Sequence, residues 1–209
     1  MKRCVIVGGA DINRYDIIKK YLRDDDFVIY CDSGLKHKEK LGASASLIVG
    51  DFDSHENPHL ETETIVLPRE KDDTDTVFAV KESLKRGFDD FLIIGAVGGR
   101  LDHTLGNVSI LAMLHSQGKT AVIADDYSEM EIVDGNTKYI DGSFEYFSLL
   151  NVFGEAGGIC ERNAKFPLED AVITCEYQYG ISNEVLSGKT AEVSVKNGRM
   201  LLIKIRKDL

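Results

Sequence analysis

Phe91-Leu92-Ile93-Ile94-Gly95-Ala96-Val97-Gly98-Gly99-Arg100-Leu101-Asp102-His103 passes from a short apolar run through a glycine turn into a helical pattern. An apolar run without polar alternation reads as a strand covered on both faces, and a turn leading straight from strand to helix is the connection of a parallel sheet. Working outward, residues 5–7, 27–30, 47–49, 64–67 and 121–124 are further β-rich runs separated by helical patterns. Residues 1–124 are therefore expected to form an α/β domain, a mostly parallel sheet with flanking helices. The helical pattern after Asp75 sets Val77, Val80, Leu84 and, nearly in phase, Phe78 on an apolar side and closes at Lys85-Arg86-Gly87. A second helix over 102–117 is expected to place Leu101, Leu105, Val108, Leu111 and Ala112 along one face and to end at Gly118.

From residue 125 the texture changes to β-type runs at 146–152, 171–175, 191–195 and 200–205, broken by Asp134-Gly135, Asp141-Gly142, Gly157-Gly158 and Asn197-Gly198 turns. A smaller all-β domain, a sandwich or barrel over 125–209, is expected there.

The chain has 209 residues, 43% of them hydrophobic, and a formal net charge of -10. Phosphate backbones are gripped by clustered Lys and Arg, so this balance argues against a nucleic-acid binder and for a small ligand. A polyphosphate entering such an acidic chain needs its charge offset by a divalent cation, for which Mg²⁺ is the expectation. Cys4, Cys31, Cys160 and Cys175 show no CxxC pair and no zinc spacing, so buried free thiols are expected. Met1-Lys2-Arg3 leads directly into the first strand, and no apolar run approaches the ~20 residues of a membrane span. A cytoplasmic protein without membrane contact is the expectation.

Two acidic runs carry the chemistry, Gly50-Asp51-Phe52-Asp53-Ser54 and Lys71-Asp72-Asp73-Thr74-Asp75. Carboxylates spaced i, i+2 after a strand can reach one hard cation, and ligands of open α/β sheets bind at that edge. Each run also reads as local structure, the first as a turn and the second as an N-cap with helix-dipole partners. Three aspartates exceed what capping requires. The Gly95 to Gly99 turn lets phosphate oxygens approach the backbone at a helix start, and Arg100 can grip two of them. Ser187-Gly188-Lys189-Thr190 is not a P-loop, because position 183 is Asn183 and a β-run follows.

Taken together, Gly50 to Ser54, Lys71 to Asp75, Gly98-Gly99-Arg100-Leu101-Asp102-His103 with Asn107, and Gly180-Ile181-Ser182-Asn183 resemble the thiamine pyrophosphokinase family over nearly the whole chain. The resemblance implies transfer of the pyrophosphoryl group of ATP to the hydroxyl of thiamine, giving AMP and thiamine diphosphate, with Mg²⁺ and in a homodimer with shared active sites. It makes Asp51, Asp53 and Asp75 the metal candidates, with Asp72 and Asp32 next. Arg100 and Lys71 are candidates for the migrating phosphates, and Asp102 for orienting Arg100 or the hydroxyl. Thr74, Gly98, Gly99, His103 and Asn107 join the nucleotide site, while Ser182 and Asn183 match the family's thiamine-contacting loop. Cys31-Asp32-Ser33-Gly34 departs from the family's Ala-Asp-Gly-Gly. The chain has no Trp to stack on thiamine, which leaves Tyr177 and Tyr179 as candidates by proximity. The rival readings are a hydroxymethylpterin diphosphokinase and a non-catalytic thiamine or nucleotide sensor.

Overall fold

The computed structural model describes residues 2–52, 62–70 and 72–207, so the candidates Asp53 and Lys71 lie outside the described residues. The chain divides into two compact units, Met1–Asp126 and Tyr127–Leu209.

In the first unit, strands β1 (Arg3–Val7), β2 (Phe27–Cys31), β3 (Leu47–Gly50), β4 (Thr64–Val66), β5 (Asp90–Ile94) and β6 (Thr120–Ala124) lie in the order β4-β3-β2-β1-β5-β6. Every one of these pairings is parallel. The sequence pattern has a direct cause: both faces are covered, so the last four residues of β1, β2 and β5 are buried without polar alternation. Val5, Val7, Val28, Tyr30, Leu92 and Ile94 build one core, against Tyr15, Tyr21 and Leu35 of the short connecting helical turns. Between β1 and β2 stand the helical turn α1 (Tyr15–Ile18) and a 3-10 turn (Lys19–Tyr21), and between β2 and β3 a 3-10 turn (Asp32–His37) and α2 (Lys38–Leu41), stopped by Gly42 at φ 70°.

The longer helices depart in phase from expectation. Helix α3 (Asp75–Lys85) buries Ala79, Val80 and Ser83, while Val77, Phe78 and Leu84 are only half-buried. Its inner face is built of small groups: Ser83 Oγ donates to Ala79 O at 2.7 Å and lies 3.2 Å from Cys4 Sγ on β1, which lets the helix approach the sheet closely. Helix α4 (Leu101–Ser116) buries Asn107, Ile110, Leu111 and Leu114. Leu101 and Leu105 are instead 66% and 60% exposed, so the expected single face of Leu101, Leu105, Val108, Leu111 and Ala112 does not form. The helix is apolar on two sides, and only one of them meets the sheet.

In the second unit, β7 (Ser128–Val133), β8 (Lys138–Ile140), β9 (Phe144–Leu150), β10 (Gly157–Arg162), β11 (Leu168–Val172), β12 (Ala191–Asn197) and β13 (Met200–Arg206) are all antiparallel. Strand β13 pairs with β7 and with β9, and the other four form a sheet ordered β11-β10-β12-β8. Val133, Phe147, Leu149, Met200 and Leu202 from the first set meet Ile140, Ile159, Val193 and Val195 from the second in one buried core. That is a sandwich, as expected. Gly157-Gly158, expected as a turn, instead opens β10, where Gly158 at φ 66° makes a bulge in the pairing with β11. The strand expected over 171–175 ends at Val172. Cys4 and Cys31 are buried free thiols, but Cys175 is exposed and Cys160 half-buried, which corrects the expectation for those two. Among the described residues no helix is long and apolar enough to cross a membrane.

Candidate active site

Strand order reverses between β1 and β5, so the loops leaving these neighbours diverge and open a crevice at the carboxyl edge of the sheet. The backbones cross there so closely that side chains are excluded. Gly8 N donates to Ile94 O at 2.8 Å and Ala10 N to Gly95 O at 2.9 Å. A Cβ on Gly8 would stand 2.5 Å from the Gly95 carbonyl oxygen, the reverse contact is tighter still, and Gly95 also sits at φ 60°. Gly99, by contrast, has nothing within 4 Å of a Cβ position. The result is a cleft of about 500 Å³ lined by backbone of Gly8, Gly9, Gly95, Gly98 and Gly99 and by the side chains of Ser33, Lys36, Thr76, Arg100, His103 and Asn107.

The glycine turn is lashed to the first turns of α4. Thr104 Oγ accepts from Gly98 N at 3.2 Å and donates to Arg100 O at 3.3 Å, and the buried Asn107 donates from Nδ2 to Ala96 O at 2.8 Å. Arg100, at the N-cap of α4, holds Asp102 with two hydrogen bonds, from Nε at 3.0 Å and Nη2 at 2.7 Å. The Arg100 guanidinium keeps the Asp102 carboxyl well below the usual carboxylate range. Both side chains are exposed, so the pair adds little to stability and its forked donor stays within reach of an incoming anion. Lys36 stands on the opposite wall with its Nζ 2.7 Å from Asp11 Oδ1.

The acidic candidates gather at the adjoining edge. Cys31 pairs with Val49, which brings the buried Asp32 beside Gly50. A Cβ on Gly50 would meet Asp32 Cβ at 2.7 Å, so the glycine makes room for that carboxylate next to Asp51. Asp75 begins α3 close enough for its charge to raise the Cys31 thiol pKa, second only to burial itself. Thr74 caps the helix, accepting from Val77 N at 3.3 Å, so Asp75 is not spent on capping. Asp73 is taken by Lys81 at 2.7 Å, and Asp72 is exposed ahead of the helix. Thr76, one residue after Asp75, lines the cleft. These are hard oxygen donors suited to Mg²⁺, although among the described residues no three acids, histidines or cysteines are gathered closely enough to hold an ion.

In the second unit Ser182 and Asn183 play different parts. Asn183 is buried and pairs through its backbone with Phe147, N to O at 2.9 Å in both directions. Its amide donates to Phe166 O at 2.8 Å and to Glu161 Oε2, and its Oδ1 accepts from Phe166 N at 3.0 Å and Glu184 N at 2.9 Å. Every polar atom of that side chain is engaged within the unit. Ser182 is exposed and held at φ 60°, with its N donating to Ser148 Oγ at 3.0 Å. An L residue in the left-handed region costs free energy and persists only where neighbours enforce it. Phe166, clasped by Asn183, is 60% exposed. Tyr177 and Tyr179 pack with centroids 5.4 Å apart and ring planes tilted by 45°, and the Tyr179 hydroxyl donates to Val172 O at 2.6 Å.

Several of these residues escape the sequence reading. Gly8-Gly9 directly after β1 carries the same signal as Gly95 after β5 and was readable on that ground. Lys36, Thr104 and Phe166 carry no local signal, because only the fold brings them to their partners.

Residues 18–123 match the family of the thiamin pyrophosphokinase catalytic domain. The thiamine pyrophosphokinase of Bacillus subtilis (strain 168) is 26% identical over 212 residues, covering 98% of this chain and 99% of the relative. Among solved structures, the thiamine pyrophosphokinase of Bacillus subtilis superposes with a TM-score of 0.85 at 24% identity, over 99% of this chain and 100% of that one. The thiamin pyrophosphokinase of Candida albicans does so with a TM-score of 0.74 at 14% identity, over 99% of this chain and 89% of that one.

Proposed function

The chain belongs to the thiamin pyrophosphokinase family, and from that membership we propose how its own residues divide the work. It is a thiamine diphosphokinase, with ATP and thiamine as substrates and thiamine diphosphate and AMP as products. In this transfer the thiamine hydroxyl oxygen bonds to the β-phosphorus, the bond from that phosphorus to the oxygen it shares with the α-phosphorus breaks, and the hydroxyl proton is released. Little covalent chemistry is asked of the protein; positioning and charge neutralisation carry the rate.

The cleft between the loops of β1 and β5 takes the ATP phosphates. Main-chain groups of Gly98 and Gly99 and the start of α4 face the anion. Arg100 exchanges its exposed partner Asp102 for phosphate oxygens, and Lys36 does the same from Asp11. Asp51 and Asp75, with Asp53 and flanked by Asp32 and Asp72, would hold Mg²⁺, which when bound neutralises charge on the phosphates. Lys71, Thr74, His103 and Asn107 complete the nucleotide side, Thr74 and Asn107 as residues that hold the loops. On the thiamine side Ser182 presents its hydroxyl to the aminopyrimidine, Asn183 fixes the loop, and Phe166 supplies the ring face that Trp gives elsewhere. Tyr177 and Tyr179 remain candidates by proximity, and Phe166 is preferred to them because it is tied directly to Asn183. The active form is a homodimer in which each site draws its acids from one subunit and its Ser182 loop from the other. Cytoplasmic residence fits the buried free thiols Cys4 and Cys31.

The observation that carries this reading is the glycine-lined cleft at the switch point, which Thr76 joins to the Asp32, Asp51 and Asp75 edge. Incubation with ATP, thiamine and Mg²⁺ is expected to release AMP in step with thiamine diphosphate and to stop when the metal is chelated. Release of ADP, or equal turnover in chelator, would overturn it.

A further inference from the structure

Glu161 occupies a core position. It lies on β10 opposite Val193 of β12 and Leu168 of β11, two residues from the fully buried Ile159 on the same strand face, and is 1% exposed. Its Oε2 accepts from Asn183 Nδ2, while among the described residues Oε1 is buried with no hydrogen-bond partner. A half-satisfied carboxyl in an apolar interior costs stability, and a core built for stability alone would place an apolar residue there.

What the carboxyl provides is an orientation. The two ends of an asparagine amide are nearly the same size, so packing alone does not decide which faces which neighbour. In the observed orientation Nδ2 and Oδ1 clasp the O and N of Phe166, as a neighbouring strand would. Turned over, Oδ1 would face both the Glu161 carboxyl and the Phe166 carbonyl, and Nδ2 would face two backbone N–H groups. Glu161 therefore adds its carboxyl to the Phe166 and Glu184 main-chain groups that hold the amide in the state that fastens Phe166. The same Asn183 pairs with Phe147, next to the Ser148 hydroxyl that holds Ser182 in its left-handed conformation.

We propose that Glu161 is a positioning residue for thiamine, acting through the Asn183 amide to fix Phe166 and Ser182. It rests on the reading of Ser182 and Phe166 as the thiamine contacts. An ionised Glu161 accepts a stronger, charge-assisted hydrogen bond than a protonated one, so the lock tightens as the carboxyl loses its proton. Burial pushes its pKa up to about 7, with the Asn183 hydrogen bond working in the opposite direction. The charged side chains on surrounding elements include Lys165 and Glu184, paired with each other in the clasped loops, Arg162 and Glu192 in the next register position, Lys138 of β8 in the same register row and paired with Glu131, Lys196 of β12, and Glu169 and Asp170 on β11. None of them contributes to that shift.

The test uses the full-length enzyme with thiamine and ATP. Glu161→Leu removes the acceptor and also the buried charge, so it is expected to fold at least as stably as wild type while raising the thiamine KM about tenfold, the scale of one lost charge-assisted hydrogen bond. Its kcat and ATP KM are expected to stay within about twofold of wild type, since the phosphate machinery is untouched. Glu161→Gln keeps an acceptor for Asn183 and is expected to restore the thiamine KM. It should also abolish the wild-type fall in thiamine KM as pH rises from 6 to 8. An unchanged thiamine KM in Glu161→Leu, or the same pH profile in Glu161→Gln as in wild type, overturns the proposal. Phe166→Ala separates the two levels: if it too leaves the thiamine KM unchanged, the assignment of the site falls, whereas if it raises KM and Glu161→Leu does not, only the role of Glu161 falls.

Discussion

Gly95→Ala and Gly99→Ala change the same turn by the same methyl group and are expected to fail in different ways. At Gly95 the residue sits at φ 60°, where an L side chain costs about 1–2 kcal/mol. The new Cβ also collides with the Gly8 carbonyl oxygen, and because the contact is backbone on backbone, relief requires the β1 and β5 loops to separate. Overpacking of that kind costs about 1–3 kcal/mol, so Gly95→Ala is expected to lose about 2–5 kcal/mol in all. That is a large part of the ~5–15 kcal/mol that holds a domain folded. Gly99→Ala meets nothing within 4 Å, so its stability is expected to stay within about 0.5 kcal/mol of wild type. Its methyl adds instead to the lining of the cleft where phosphates are to approach main chain, and the ATP KM is expected to rise about tenfold with the thiamine KM unmoved. Urea unfolding of both variants, paired with steady-state AMP release at varied ATP, reads the two effects separately. Equal loss of stability in both variants, or a wild-type ATP KM in Gly99→Ala, refutes the division of these glycines into structural and ligand-facing ones.

Asp75→Asn is expected to abolish turnover while leaving unfolding within about 0.5 kcal/mol of wild type, because Thr74 and not Asp75 caps α3; a sharp loss of stability with normal activity per folded molecule would make Asp75 structural. Phe166→Ala is expected to raise the thiamine KM while Phe166→Tyr retains it, and steady-state kinetics at fixed ATP decides. The Glu161 pKa is raised from 4.5 in the unfolded chain to about 7 in the folded one, so the stabilisation that this proton uptake gives is complete below pH 4.5 and is lost as pH rises through about 7. At about 1.4 kcal/mol per unit, wild type is expected to lose about 3 kcal/mol over that window relative to Glu161→Gln, measured as urea unfolding against pH; parallel curves would contradict the burial. Coexpression of Asp75→Ala chains with Phe166→Ala chains, assayed at limiting thiamine, is expected to restore about a quarter of wild-type activity if subunits pair at random and share sites. Verified mixed dimers without recovery rule out sharing.

The strands of the first unit were legible because a sheet covered on both faces writes unbroken apolar runs such as Phe91 to Ile94. Helix faces were not. α4 carries apolar residues on two sides, so periodicity cannot say whether Leu105 or Leu114 is inside, and α3 turns inward a face of Ala79 and Ser83 that hydrophobicity undervalues. Gly157-Gly158 read as a turn because a bulge and a turn ask the same of glycine. The acidic edge was readable from carboxylates placed after strands. Lys36 and Phe166 were not, since the link from Asn183 to Phe166 spans 17 residues and exists only once the sandwich closes.

Where the main chain of the β1 and β5 loops crosses, the cleft leaves no room for graded change. Substitution can break the Gly8 and Gly95 crossing but cannot reshape it by degrees, so on the proposed reading the main-chain share of phosphate recognition is fixed and Arg100 and Lys36 supply the adjustable share. Drift in substrate choice within this scaffold, or its deliberate redirection to another hydroxylated heterocycle, has its freedom at Phe166 and Ser182 if, as proposed, their side chains meet the acceptor.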